Sequence, residues 1–315
     1  MMRQLLKSVA LMLLLLVVIQ CEKNPVIDND TMLDGDIIFD ASLYDPESYL
    51  VSYAIPNPTA EQLATPVFIA AHGYTASTFE WDEFREWAEP DQNVLISQVL
   101  LGGHGRDYES FKESSWADWQ DPIMEEYARL DAMGYTNINL TGSSTGCPLI
   151  LELFASDAFS DYQAPNEVFL IDPMLVPSNK LLSIIKVVGP MLGYTETETN
   201  PETESYWYTY RPQETLQALM ELSNTVRLEL EDGFDLPTGT RMKVYKALQD
   251  ASADPVGALM IYKGIEESDG STIDVEMIDS NLHVFTRLDG REEVTTADQV
   301  TQMATFTEFL LRMHE

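Results

Sequence analysis

The stretch that most constrains this chain is the pentapeptide Gly142-Ser143-Ser144-Thr145-Gly146 with its flanks. A short apolar run, Ile138-Asn139-Leu140-Thr141, enters it, and Pro148-Leu149-Ile150-Leu151-Glu152-Leu153-Phe154 leaves it with helical character. A Ser at the centre of G-x-S-x-G between a strand and a helix reads as a nucleophile elbow, a sharp turn that holds one hydroxyl out above a sheet edge. Such a turn keeps Ser144 in a strained backbone conformation. Two residues to either side, the chain packs too closely for side chains, and glycine, without a Cβ, suits positions 142 and 146. The Thr145 N–H then sits at a helix N-terminus, where unpaired donors can hold an oxyanion.

A nucleophile of this kind needs a base and an acid to orient it. Upstream, Pro66-Val67-Phe68-Ile69-Ala70-Ala71 has the continuous apolar pattern of a strand buried on both faces, and it ends in His72-Gly73-Tyr74-Thr75-Ala76. Of the four histidines, His72 and His104 precede the elbow within Gly-rich turns, and His72 reads as structural. His314 is penultimate, on a helix end expected to fray. His283 follows the alternating run Ile273-Asp274-Val275-Glu276-Met277-Ile278 and is the candidate base. The acid is sought after the strand Met242-Lys243-Val244-Tyr245-Lys246-Ala247-Leu248. There Asp254 suits the N-cap of a helix over Val256 to Tyr262, with Pro255 in its first turn, which leaves Asp250 in the loop to orient His283. Asp254 itself, and Asp172 at the end of Val168-Phe169-Leu170-Ile171, remain alternatives; Asp269 lies too near His283 to leave room for a helix.

These stretches, with Leu101-Gly102-Gly103-His104-Gly105, Trp116-Ala117-Asp118-Trp119 and Leu282-His283-Val284, resemble the carboxylesterase and monoacylglycerol-lipase branch of the α/β-hydrolase superfamily. The resemblance runs from about Pro66 to Glu315 and is more specific for the superfamily than for the branch. It implies an α/β-hydrolase fold: a mostly parallel central sheet, helices on both faces, and a helical cap inserted at about 178–239. It implies a Ser144–Asp250–His283 triad in the chain order Ser, acid, His. It also makes the Tyr74 N–H the second oxyanion donor beside Thr145, in a loop that Gly73 lets bend toward substrate. The implied activity is hydrolysis of carboxylic esters through an acyl-enzyme, with no cofactor. A thioesterase or peptidase would share the triad, and a surface-anchored binding protein without catalysis is the alternative of another class. One position departs from the family pattern: Cys147 stands where a second Gly often follows the elbow.

Composition sets the frame. The chain has 315 residues, 45% of them hydrophobic, enough for one large domain with an insertion. Lys and Arg number 18 against 52 Asp and Glu, a formal charge of −34. Nucleic acid is excluded as an expected partner, because phosphate contacts need basic residues. The same charge favours a neutral ester or acylglycerol as substrate. The start, residues 1–21, reads as a signal peptide: Arg3 and Lys7, then an apolar run from Val9 to Ile19, then Gln20-Cys21. An apolar stretch ending in Cys resembles a bacterial lipoprotein signal, in which Cys21 is lipidated and anchors an exported protein to a membrane. Residues 22–35 read as an acidic tether and 36–315 as the domain. Ile37-Ile38-Phe39 and Tyr49-Leu50-Val51-Ser52-Tyr53 look like strands of an antiparallel sheet edge. No Cys/His cluster has metal-ligand spacing, so no metal site is expected. Within the cap, Lys180 to Val188 reads as an apolar helix broken by Gly189-Pro190, Thr195 to Glu204 as an exposed loop, and Thr215 to Leu230 as an amphipathic helix. The aromatic run Tyr206-Trp207-Tyr208-Thr209-Tyr210 suits either substrate contact or packing of cap on core.

Overall fold

A computed structural model describes residues 24–38, 40–180, 182, 185–197, 200, 203 and 205–315. The signal peptide and Cys21 lie outside the described residues. Six strands form the central sheet: β1 (Val67–Ala71), β2 (Leu95–Val99), β3 (Ile138–Ser143), β4 (Glu167–Ile171), β5 (Arg241–Ala247) and β6 (Asp274–Ile278). Their spatial order is β6-β5-β4-β3-β1-β2, and every pairing is parallel. Parallel neighbours need long crossovers, and helices supply them. These are α1 (Asp82–Ala88), α2 (Trp116–Met133), α3 (Gly146–Ala155), α4 (Gln213–Asp232) and α5 (Val256–Gly264), with α6 (Thr296–Met313) closing the chain.

Alternate residues of each strand feed opposite faces. Val67, Ile69 and Ala71 of β1 join a core with Trp119 and Ile123 of α2, Leu149 of α3, Leu222 and Val226 of α4 and Ile261 of α5. Phe68 and Ala70 join the other core, with Phe84 of α1 and Phe306 and Phe309 of α6. Burial on both sides explains the unbroken apolar runs of β1 and of Val168 to Ile171 in β4.

The expected antiparallel edge does not form among the described residues, outside which Phe39 lies. Pro46–Tyr49 is a 3₁₀ turn and Val51–Ala54 a single helical turn, while Ile37 makes only an isolated parallel bridge to Met32. The reason is tertiary. The amide of Val51 donates to Ser97 Oγ at 2.9 Å and that of Ser52 to Glu126 at 3.1 Å. Donors that a short turn leaves open are thus met by β2 and α2 instead of by a strand partner.

Between β4 and β5 the chain forms the helix Ile185–Leu192, a hairpin pairing Tyr194–Glu196 with Tyr210–Pro212, and α4. The helix runs through Gly189-Pro190 instead of breaking there. The loop expected over 195–204 begins as a strand, and Glu198, Thr199, Pro201, Glu202 and Glu204 lie outside the described residues. Leu33 and Asp34, at the end of the expected tether, are buried, and Asp34 accepts the amides of Thr209 at 2.7 Å and Tyr210 at 3.1 Å. No helix among the described residues is long and apolar enough to cross a membrane.

Candidate active site

The carboxyl ends of the sheet strands gather the residues singled out above. The chain leaves β3 into Ser144, whose φ is +50°, in the left-handed region where a residue with a Cβ is strained. Its amide is held by Ile171 O at 2.9 Å. The glycines on either side are required by contact: a Cβ at Gly142 would stand 2.5 Å from the Gly146 carbonyl carbon, and one at Gly146 2.6 Å from Ala71 O. Cys147 fits without a second glycine because its thiol turns inward and donates to Gly142 O at 3.0 Å.

Ser144 Oγ lies 2.8 Å from His283 Nε2, and His283 Nδ1 lies 2.7 Å from Asp250 Oδ2. Asp250 is buried, which pushes its pKa up, but the hydrogen bonds and charges of His283 and Lys246 outweigh burial and hold it well below the usual carboxylate range. An ionised Asp250 can only accept, so Nδ1 carries the proton, and Nε2 of the neutral ring faces the Ser144 hydroxyl as an acceptor. Asp250 Oδ1 accepts the amides of Ser252 at 2.7 Å and Ala253 at 3.1 Å, which locks the carboxylate in its loop.

The other acid candidates have different work. Asp254 Oδ1 accepts the Val256 amide at 2.9 Å and so starts α5. Asp269 accepts the Ser271 amide in an exposed turn. Asp172 is fully buried behind Asp250, with φ +49°, and takes the amides of Ala247 at 2.7 Å and Val284 at 2.9 Å. Lys246, which nothing in the sequence singled out, lies between the two carboxylates, 2.8 Å from Asp172 and 2.5 Å from Asp250, and none of the three side chains is exposed. Asp172, Asp250 and His283 converge closely enough to ligate a metal, and the cation found among their oxygens is the Lys246 ammonium. A lysine within an apolar strand and four residues before an Asp was the only local signal for it.

The remaining histidines are elsewhere. His72 is buried, donating through Nδ1 to Gly73 O at 2.8 Å and accepting the Leu101 amide on Nε2 at 3.1 Å; burial lowers its pKa to about 4. His104 packs against it with burial likewise lowering its pKa, and His314 caps α6. The loop after β1 reaches the nucleophile: a Cβ at Gly73 would lie 3.0 Å from Ser144 Cβ. Glu80, buried and also unmarked by the sequence, accepts the Gly73 amide at 2.8 Å and the Ser143 hydroxyl, and so pins that loop to β3. The amides of Tyr74 and Thr145 donate to no acceptor among the described residues. The Tyr74 side chain faces away, bonded to Thr215 Oγ1 at 2.7 Å. The aromatic run packs cap on core: Tyr206 stacks on Phe79 at 4.0 Å and Tyr208 on Phe111 at 4.4 Å.

No protein-family model matches the sequence, and no curated protein matches it. Solved structures do match in shape. The metagenome-derived lipolytic enzymes LipS and LipT are represented by a structure with a TM-score of 0.61 at 15% identity, over 79% of this chain and 94% of that one. A monoglyceride lipase from Saccharomyces cerevisiae, in complex with a substrate analogue, gives 0.60 at 10% identity over 82% and 89%. A monoacylglycerol lipase from Paleococcus ferrophilus gives 0.58 at 13% identity over 79% and 96%. With the parallel six-stranded sheet, its helices on both faces and a strained Ser turn between β3 and α3, these likenesses show that this chain has the α/β-hydrolase fold.

Proposed function

We propose that this protein is a serine hydrolase of carboxylic esters, a carboxylesterase or lipase. The observation that carries the reading is the unbroken relay from Ser144 Oγ to His283 Nε2 at 2.8 Å and from His283 Nδ1 to Asp250 at 2.7 Å, on a strained turn at the start of a helix. His283 takes the Ser144 proton as Oγ attacks the ester carbonyl. Asp250 keeps the imidazole in the required tautomer and stabilises its cation. The free amides of Tyr74 and Thr145 stabilise the tetrahedral oxyanion, an effect of about 3–4 kcal/mol per donor. His283 then protonates the leaving alcohol, and water repeats the sequence to release the acid. Export and membrane attachment through a lipidated Cys21 belong to the same proposal and rest on the sequence alone.

The test is hydrolysis of p-nitrophenyl esters of increasing acyl length by the parent and by Ser144→Ala. The parent is expected to turn over and the variant to lose about a million-fold in kcat. Parallel thioester and anilide substrates separate the thioesterase and peptidase readings, which share the relay. A folded parent that hydrolyses none of them, and whose Ser144 resists a fluorophosphonate probe, supports the binding-protein alternative instead.

A further inference from the structure

A cavity of about 490 Å³ opens against the two loops that carry Tyr74 and His283. Thr75 and Leu282 line it, and they are the chain neighbours of Tyr74 and His283. Three arginines line it too: Arg211 from the cap hairpin, and Arg287 and Arg291 from the segment that follows His283. In a chain with 18 basic and 52 acidic residues, three guanidinium groups at one cavity run against the composition. None of them forms a salt bridge among the described residues, although their chain is crowded with carboxylates. Arg211 Nε and Arg287 Nε are buried with no hydrogen-bond partner among the described residues. Burial lowers the pKa of Arg211 and Arg287, and burial with repulsion from Arg287 lowers that of Arg291 to about 10, so all three stay charged near neutrality. Each is held in place by something other than a carboxylate. Arg287 lies over the Trp207 ring at 4.5 Å and donates to Asp289 O. Arg291 donates to Arg287 O at 2.7 Å and to the backbone oxygens of His283 and Val284. Arg211 lies near the Tyr74 phenol.

Guanidinium groups with no carboxylate bound to them among the described residues suit an anionic partner, since a partly desolvated charge is costly until paired. We infer that the cavity binds a carboxylate carried by the ester substrate, and that the preferred substrates are esters with a second, free carboxylate on the part that enters the cavity. This rests on the hydrolase reading of Ser144 and replaces the neutral substrate suggested by net charge. A single negative charge suits the balance: Glu292 and Glu293 stand at the cavity, and Glu80 and Glu83 already act on Arg287 and Arg291, so a dianion would meet repulsion. Selectivity is built from two parts of the chain, because Arg211 comes from the cap and the other two from the loop that carries His283.

The test compares kcat/KM for the mono-p-nitrophenyl ester of glutaric acid with that for p-nitrophenyl pentanoate, which has the same chain without the charge. The parent is expected to favour the charged ester about tenfold or more, and Arg211→Gln and Arg287→Gln each to reduce the ratio by about tenfold. Lys263→Gln, the same charge change on exposed α5, is expected to leave the ratio in place. Equal rates for both esters in the parent, or the same ratio in Arg211→Gln as in Lys263→Gln, overturn the inference. A second readout needs no turnover: in Ser144→Ala, monomethyl glutarate, which carries one carboxylate, is expected to raise Tm, and Arg211→Gln in that background to abolish the rise. Hydrolysis of neither ester with the Tm rise intact overturns the hydrolase reading and keeps the anion site. Neutral-ester hydrolysis without preference or Tm rise does the reverse.

Discussion

The Lys246 ammonium is shared by Asp172 and Asp250, and all three side chains are shut off from solvent. Together with His283 they form a chain of charge in which each carboxylate is stabilised by a partner, and the whole depends on the one lysine. Removing one partner of a buried pair leaves an uncompensated charge, at a cost of about 3–5 kcal/mol. Lys246→Met is therefore expected to lose about that much stability in urea unfolding. It is also expected to raise the pKa of Asp250, which Lys246 and His283 now hold low. In the parent the carboxylate stays ionised well into acid, so its stabilising contribution is complete above the ordinary Asp range and lost only as pH falls below it. In Lys246→Met the folded and unfolded values of Asp250 draw together, so this share of the acid dependence of unfolding shrinks; an unchanged acid dependence in the variant would show that Lys246 does not hold Asp250 ionised. Sequence marked Ser144, Asp250 and His283 through motif, order and loop position, and the fold brings those three together. It left Lys246 and Glu80 unmarked, because a charged residue inside a strand or a 3₁₀ turn carries no local sign of the partner that buries it.

At the level of elements, the segment Pro46–Ala54 shows where local pattern yields to context. Tyr49-Leu50-Val51-Ser52-Tyr53 reads as a strand-like run, yet it forms helical turns. Glu126, fully buried in α2, decides this by accepting the Ser52 amide and hydroxyl and the Ser97 hydroxyl, the last at 2.6 Å. Burial raises the Glu126 pKa against the pull of the Ser52 and Ser97 bonds. Glu126→Ala strands those donors and is expected to cost about 1–3 kcal/mol, while Glu126→Gln keeps an acceptor in place and should cost clearly less. Equal losses in urea unfolding for the two variants would contradict the hydrogen-bond account. Elsewhere local signals sufficed. The end of α4 falls at Asp232-Gly233 and the start of α5 at Asp254-Pro255, where cap and proline chemistry mark them.

At the level of the whole molecule, a formal charge of −34 coexists with neutral histidines sealed inside the body. His72 has a pKa near 4 when folded and about 6.5 when unfolded, so its folded pKa is depressed. Its share of stability is whole above pH 6.5 and falls as pH drops toward 4, because only the unfolded chain takes up the proton; the loss across that window is roughly 3 kcal/mol. His72→Gln, which can keep one donor and one acceptor, is expected to abolish this share of the pH dependence. The measurement is the difference in unfolding free energy between parent and variant at pH 7 and pH 4.5. A constant difference would mean that His72 titrates alike in the folded and unfolded chains.

The chain alone marks β1, β3, β4, β5 and β6 and the turns that carry Ser144, Asp250 and His283, because periodicity, glycine placement and capping act over a few residues. It could not reveal which charges face one another. Arg211 and Arg287 lie 76 residues apart in sequence, and Lys246 and Asp172 lie 74 apart. Their meeting depends on how β4, β5 and the cap hairpin pack, and Coulomb energy follows distance in space, not along the chain. Net charge therefore pointed to a neutral substrate, while the folded cavity gathers three arginines against the loop that carries His283.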